Sequence, residues 1–204
     1  MGYDAILFDF DGVLADTEAI HFECWNEILA PYGIRLTWEH YCRSCIGIAD
    51  RTMIEFLAGQ ADPPLDPDRL FAEYPAKKAL FRERVLTQPP VYTETIDLVK
   101  ALNIYGLAVV TSSGRLEVEP VLTAAGLRPY FRAAVFGDDV IRHKPSPEPY
   151  LRAAELLNAR CPLVVEDSDA GAASGRAAGF DVLRVASAME VPERVRLALA
   201  SGRI

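Results

Sequence analysis

The stretch that decides the fold is Ala5-Ile6-Leu7-Phe8-Asp9-Phe10-Asp11-Gly12, four apolar residues running straight into two carboxylates and a glycine. A short apolar run with no polar alternation reads as a strand buried on both faces, the kind found inside parallel sheets. Residues two apart in extended backbone face the same side, so Asp9 and Asp11 leave the strand end aimed toward one point. Two carboxylates converging on one point repel each other, and a hard divalent cation such as Mg²⁺, which prefers oxygen ligands, relieves that conflict. An acidic turn with Gly12 supplying a tight bend is the plainer reading of the same residues. An EF-hand loop fits poorly, because Gly12 falls too early and no glutamate follows at the closing position.

Working outward, four more apolar runs recur: Leu107 to Val110, Ala134 to Phe136, Leu163 to Val165 and Val182 to Val185. Helical periodicity lies between and after them, over Thr93 to Leu102, Leu116 to Ala125, Pro147 to Leu157, Ala170 to Ala178 and Pro192 to Leu199. Gly126 and Gly179 fall where left-handed helix ends belong, and Pro147 and Pro192 fall near helix starts. Alternating strands and helices predict an α/β fold, a Rossmann-like parallel sheet core flanked by helices.

The gap between the first two strands is far longer than a crossover needs. It reads as all helical, over Glu18 to Leu29, Trp38 to Cys45, Arg51 to Leu57 and Asp68 to Leu86. The expected organisation is a catalytic core of residues 1–15 and 85–204 with a small all-α cap domain, residues 16–84, inserted after the first strand. Such an insertion would stand over the C-terminal edge of the sheet, where α/β folds bind ligands.

The other strand ends carry polar groups that complement the acidic pair. Thr111-Ser112-Ser113-Gly114 follows the second strand, and hydroxyls and N–H groups at the opening of a helix suit phosphate oxygens, although they also make an ordinary N-cap. His143-Lys144-Pro145 follows the third. Pro145 restricts Lys144 to extended geometry, so its ammonium can be held as a point charge for a phosphoryl group. Glu166-Asp167-Ser168-Asp169 closes the fourth strand and can complete a metal shell, with Ser168 or Asp169 as helix N-cap. His143 reads as a surface residue.

Composition narrows the partners. The chain has 204 residues, half of them hydrophobic, and a net charge of −8, without the basic footprint that nucleic acid or anionic lipid requires. The absence of an apolar run near 20 residues argues against a bilayer span, and the expected location is cytoplasmic. A small, diffusible partner is favoured, and the sequence leaves protein partners and oligomeric state open. Cys24, Cys42, Cys45 and Cys161 are too few for a disulfide scaffold. Cys42-Arg43-Ser44-Cys45 has CxxC spacing, but with no second pair and only His40 nearby it does not complete a zinc site.

Taken together, Asp9-Phe10-Asp11-Gly12-Val13-Leu14-Ala15-Asp16-Thr17-Glu18, Thr111-Ser112-Ser113, Lys144-Pro145-Ser146-Pro147 and Glu166-Asp167-Ser168-Asp169-Ala170-Gly171 resemble the motifs of the haloacid dehalogenase superfamily, in the group with a helical cap after the first motif. The resemblance implies a phosphatase acting on small phosphate monoesters. It implies Asp9 as nucleophile, Asp11 as general acid and base, and Thr111 as a phosphoryl ligand, with Gly12, Ser112 and Ser113 beside it. Lys144 would stabilise charge, and Asp9, Asp11 (through its backbone carbonyl), Glu166 and Asp167 would hold Mg²⁺. Asp11 argues against dehalogenation, which needs no proton for a leaving oxygen. A phosphomutase of the β-phosphoglucomutase type is the rival, suggested by Asp16 to His21 and by Trp25. Those mutases carry a lysine before a cap glycine where this chain has Ile46 before Gly47, leaving Lys77, Lys78 or Arg51 as substitutes. A silent member that only binds phosphorylated ligands is a third reading, but no motif residue is lost. Among cap residues, His21 is the expected substrate contact, one turn beyond Thr17 and Glu18.

Overall fold

The computed structural model describes residues 2–46 and 50–202. Strands β1 (Ala5–Phe8), β2 (Gly106–Val110), β3 (Ala133–Val135), β4 (Pro162–Glu166) and β5 (Asp181–Arg184) form one sheet in the order β3-β2-β1-β4-β5. All its pairings are parallel. The predicted α/β architecture is therefore the observed one, with β1 at the centre. β3 and β5 each begin one residue before the apolar run that announced them, because the strand ends follow ladder partners such as Ala108 with Ala133 and Leu163 with Asp181.

The chain divides into two compact units, residues 1–16 with 89–204 and residues 17–88. In the first, helices α6 (Thr93–Ala101), α7 (Arg115–Ala124), α8 (Glu148–Leu157), α9 (Asp169–Ala177) and α10 (Val191–Ser201) accompany the sheet. On one face Tyr150, Ala153 and Ala154 of α8 pack against Leu7, Ala108 and Val135. Alternation along β1 sends Ile6 and Phe8 to the opposite face, where they too are fully buried. Gly126 and Gly179 have φ of 69° and 81°, the left-handed geometry expected of them. At the neck of this unit the Asp16 N–H donates to the Pro90 carbonyl (2.8 Å) and the Tyr92 hydroxyl donates to the Asp16 carboxylate (3.0 Å).

The second unit is helical: α1 (Glu18–Leu29), α2 (Trp38–Ser44), α3 (Asp50–Gln60), α4 (Pro67–Phe71) and α5 (Tyr74–Thr87). Trp25, Leu29, Tyr41, Ile54, Leu57 and Leu70 form its core. The helix expected over Asp68 to Leu86 is two helices, broken at Ala72-Glu73. Pro75 causes the break, since a continuous helix would drive its ring against the carbonyl of Phe71 and lose a hydrogen bond. Among the described residues no helix is long and apolar enough to cross a membrane.

Candidate active site

Register places the polar groups. Phe8 pairs with Val109 on one side and Val165 on the other, so the next residues, Asp9, Val110-Thr111 and Glu166, emerge in one row at the C-terminal edge. The ladder continues into them: Asp9 N–H donates to the Val165 carbonyl (3.0 Å) and Thr111 N–H to the Val135 carbonyl (3.0 Å). Asp9, Thr111 and Glu166 are buried.

Lys144 joins the row from the loop after β3. Its ammonium donates to Asp9 Oδ1 (2.5 Å), Glu166 Oε1 (2.6 Å) and the Val110 carbonyl (2.9 Å), which uses all its protons. Burial works against the Lys144 charge, but Asp9 and Glu166 outweigh it and raise the lysine's pKa, so it stays protonated. Glu166 has no exposed surface. Burial pushes its pKa up, yet Lys144 and the hydrogen-bond donors around it prevail and hold it below the usual carboxylate value.

Asp9 behaves differently. Burial, reinforced by repulsion from Glu166 and Asp11, lifts its pKa well above the ordinary range in spite of Lys144. Asp167 is pushed up to about 6, by burial first and then by the Glu166 charge. Crowded carboxylates that resist ionising are those a divalent cation would relieve. Oxygen atoms of Asp9, Glu166 and Asp167 lie within 4.8 Å of one another, and this hard donor set fits Mg²⁺.

Asp11 is half-buried, and its Oδ2 accepts from the Ser113 hydroxyl (2.7 Å). Ser113 N–H in turn donates to Thr111 Oγ1 (3.0 Å), so the segment after β2 fixes the second aspartate. The Ser112 side chain is exposed. Gly12 has φ +74°, and a Cβ there would collide with the Asp167 carboxylate; its own N–H is taken by the Ala15 carbonyl (2.8 Å). Glycine thus lets the β1 turn pass close to Asp167.

Gly171 in α9 plays a comparable part, since a Cβ on it would overlap the Glu166 carboxylate. Gly171→Ala is expected to destabilise the protein by about 3 kcal/mol through overpacking of a site that cannot yield. Urea unfolding at pH 7.5 measures this, and a midpoint equal to wild type would contradict it.

His21 belongs to the helical unit. Its ring stacks on Phe81 with centroids 4.2 Å apart, and its Nδ1 lies 2.9 Å from Lys77 Nζ. Lys77 is fully buried, 5.2 Å from the Trp25 ring centroid and 3.7 Å from Asp50 Oδ2. Lys78 lies over the Tyr74 ring (4.7 Å), and Arg51 pairs with Glu55 and Asp68. Gly47, on which the comparison with mutases turns, lies outside the described residues. Cys45 is buried and Cys42 exposed.

Two participants carry no sequence signal of their own, the Val110 carbonyl under Lys144 and Tyr150, while Ser168 has a hydroxyl that also donates to Glu166 Oε2 (2.9 Å). Ser168 was expected as an N-cap, and it does accept from Gly171 N–H (3.0 Å).

A parallel sheet with acids on its central strand end, a hydroxyl turn beside them and a buried lysine defines a class, and the chain belongs to the haloacid dehalogenase-like hydrolase family, whose model matches residues 6–185. It is 35% identical to the phosphorylated carbohydrates phosphatase of Thermotoga maritima over 87% of this chain and 82% of that one. It is 33% identical to the fructose-1-phosphate phosphatase YqaB of Escherichia coli over 90% and 96%. Among solved structures it resembles CbbY from Rhodobacter sphaeroides in complex with phosphate, at 27% identity and a TM-score of 0.70, over 90% of this chain and 87% of that one.

Proposed function

We propose that the protein is a Mg²⁺-dependent phosphatase hydrolysing small phosphate monoesters, sugar phosphates or similar metabolites, with Asp9 as nucleophile. The observation that carries this reading is the buried Lys144 ammonium on Asp9 Oδ1, beside an Asp11 held by Ser113. Relatives named as phosphatases of phosphorylated carbohydrates and of fructose 1-phosphate support the substrate class.

Asp9 attacks phosphorus, and the P–O bond to the leaving alcohol breaks. Asp11 gives that oxygen its proton, then takes one from the water that cleaves the aspartyl-phosphate. A carboxylate nucleophile divides one hard displacement into two easier ones. Lys144, the Thr111 hydroxyl and backbone N–H groups compensate charge on the transferring group, which is most of what phosphoryl transfer asks of a protein. Asp9, Asp167 and the Asp11 carbonyl would hold Mg²⁺, with Glu166 adjoining them, and the ion would neutralise phosphoryl oxygens. The helical unit serves as the cap domain, with His21 as its substrate contact.

The test is release of inorganic phosphate from a panel of sugar phosphates and p-nitrophenyl phosphate with Mg²⁺ and with EDTA. Turnover is expected only with Mg²⁺, and full activity in EDTA would sink the mechanism. With β-glucose 1-phosphate as substrate, glucose 6-phosphate in place of free phosphate would identify a mutase.

A further inference from the structure

The geometry points to Tyr150 as a positioning residue that aims Lys144 at the nucleophile by locking Glu166. This rests on the proposed roles of Asp9 and Lys144. Tyr150, in α8, has no exposed surface. Its hydroxyl donates to Glu166 Oε1 at 2.8 Å, the oxygen that accepts from Lys144 at 2.6 Å. Its ring lies 5.1 Å from the Lys144 ammonium. One side chain therefore touches both members of the ion pair.

The other Glu166 oxygen is also engaged. Oε2 accepts from Asp167 N–H (3.1 Å), Ser168 N–H (3.1 Å) and the Ser168 hydroxyl (2.9 Å). Two donors on Oε1 and three on Oε2 exhaust the sites of a carboxylate. The three clustered carboxylates therefore divide their work: Glu166 anchors Lys144, and Asp9 and Asp167 are the two left to meet a metal. With Val110 and Glu166 holding two ammonium protons, the third is left for Asp9 Oδ1 and for a phosphoryl oxygen developing there. The tyrosine hydroxyl matters because it keeps Glu166 Oε1 from swinging. Without it, the carboxylate and the lysine can rotate together, and misplacement of a group by about 1 Å can cost up to about 100-fold in rate.

Tyr150→Phe keeps the ring and removes only the O–H. The expected result is a kcat about tenfold lower with KM within about twofold of wild type, and Mn²⁺ affinity, read by calorimetry in place of Mg²⁺, within about twofold. Unchanged kcat overturns the proposal. So does a tenfold or greater loss of Mn²⁺ affinity, which would make Glu166 a metal ligand supported by the tyrosine. Thermal melting of the same variant separates a fold defect, because a merely structural role would lower the melting temperature and leave kcat intact at temperatures where the protein is folded. If wild type turns over no phosphate ester, the proposed function falls by itself. The crystal structure of Tyr150→Phe still decides the positioning role: displacement of Lys144 Nζ from Asp9 Oδ1 supports it, and three retained lysine contacts overturn it.

Discussion

Asp9→Asn is expected to reduce phosphate release by about 10,000-fold or more while the protein stays folded. Removing a nucleophile that acts as one unit with its acid and its electrostatic partners costs nearly the whole catalytic advantage. Asparagine is close to isosteric, and its amide oxygen can still accept from Lys144. The raised pKa of Asp9 means that holding its charge in this buried place is unfavourable, so the substitution also removes a penalty that favours unfolding near neutral pH. Melting temperature is therefore expected to stay level or rise slightly. Steady-state phosphate release and a thermal melt on the same preparation check both halves. Turnover within tenfold of wild type would remove Asp9 from the role of nucleophile.

The second large effect is Lys144→Met. The change keeps the length of the side chain and deletes the ammonium, leaving Glu166 wholly buried beside Asp9 without its cation. Breaking a buried pair from one side costs about 3 to 5 kcal/mol, and turnover is expected to fall by about 1,000-fold or more. The pH dependence has a definite sign. In wild type the Glu166 pKa is held below its unfolded value, so its stabilisation is present above the unfolded pKa and lost as pH falls through the folded one. In the variant burial and repulsion act on the same carboxylate with only its uncharged donors from Tyr150, Asp167 and Ser168 opposing them, so its pKa rises and protonation relieves it. The stability deficit should therefore be larger at pH 8 than at pH 5. Urea titrations at the two values measure this, and a deficit that grows toward pH 5 would show that Lys144 does not support Glu166.

Much of this site was legible because its signals are local. An apolar run ending in Asp9 announces a strand and its edge in a few adjacent residues, and the same holds for Leu163 to Val165 ending in Glu166. What the strand ends share was harder to read. Nothing in Thr111-Ser112-Ser113 says that Ser113 reaches Asp11 while Ser112 stays exposed; that depends on the turn after β2, where Ser113 N–H folds back on Thr111 Oγ1. Tyr150 was invisible for another reason. On α8 it sits among Ala153 and Ala154 on the buried stripe, and periodicity reports burial without reporting what a hydroxyl meets there. Glu166 was read with Asp167 as one acidic pair, whereas burial and partners separate them, one held low and the other raised to about 6. The helix expected over Asp68 to Leu86 failed at Pro75 because the apolar spacing continues through the break.

The hydrogen bond from Asp16 to Pro90 bears on modularity. The chain leaves the sheet unit and re-enters it at two points already tied by backbone, so for that unit everything from Thr17 to Gln88 is a loop whose ends are closed at the neck. Loop-closure entropy grows only slowly with length, and helices can therefore be lengthened, exchanged or replaced in that segment with little cost to the sheet. A scaffold built this way can keep one set of reacting groups while the inserted unit diversifies.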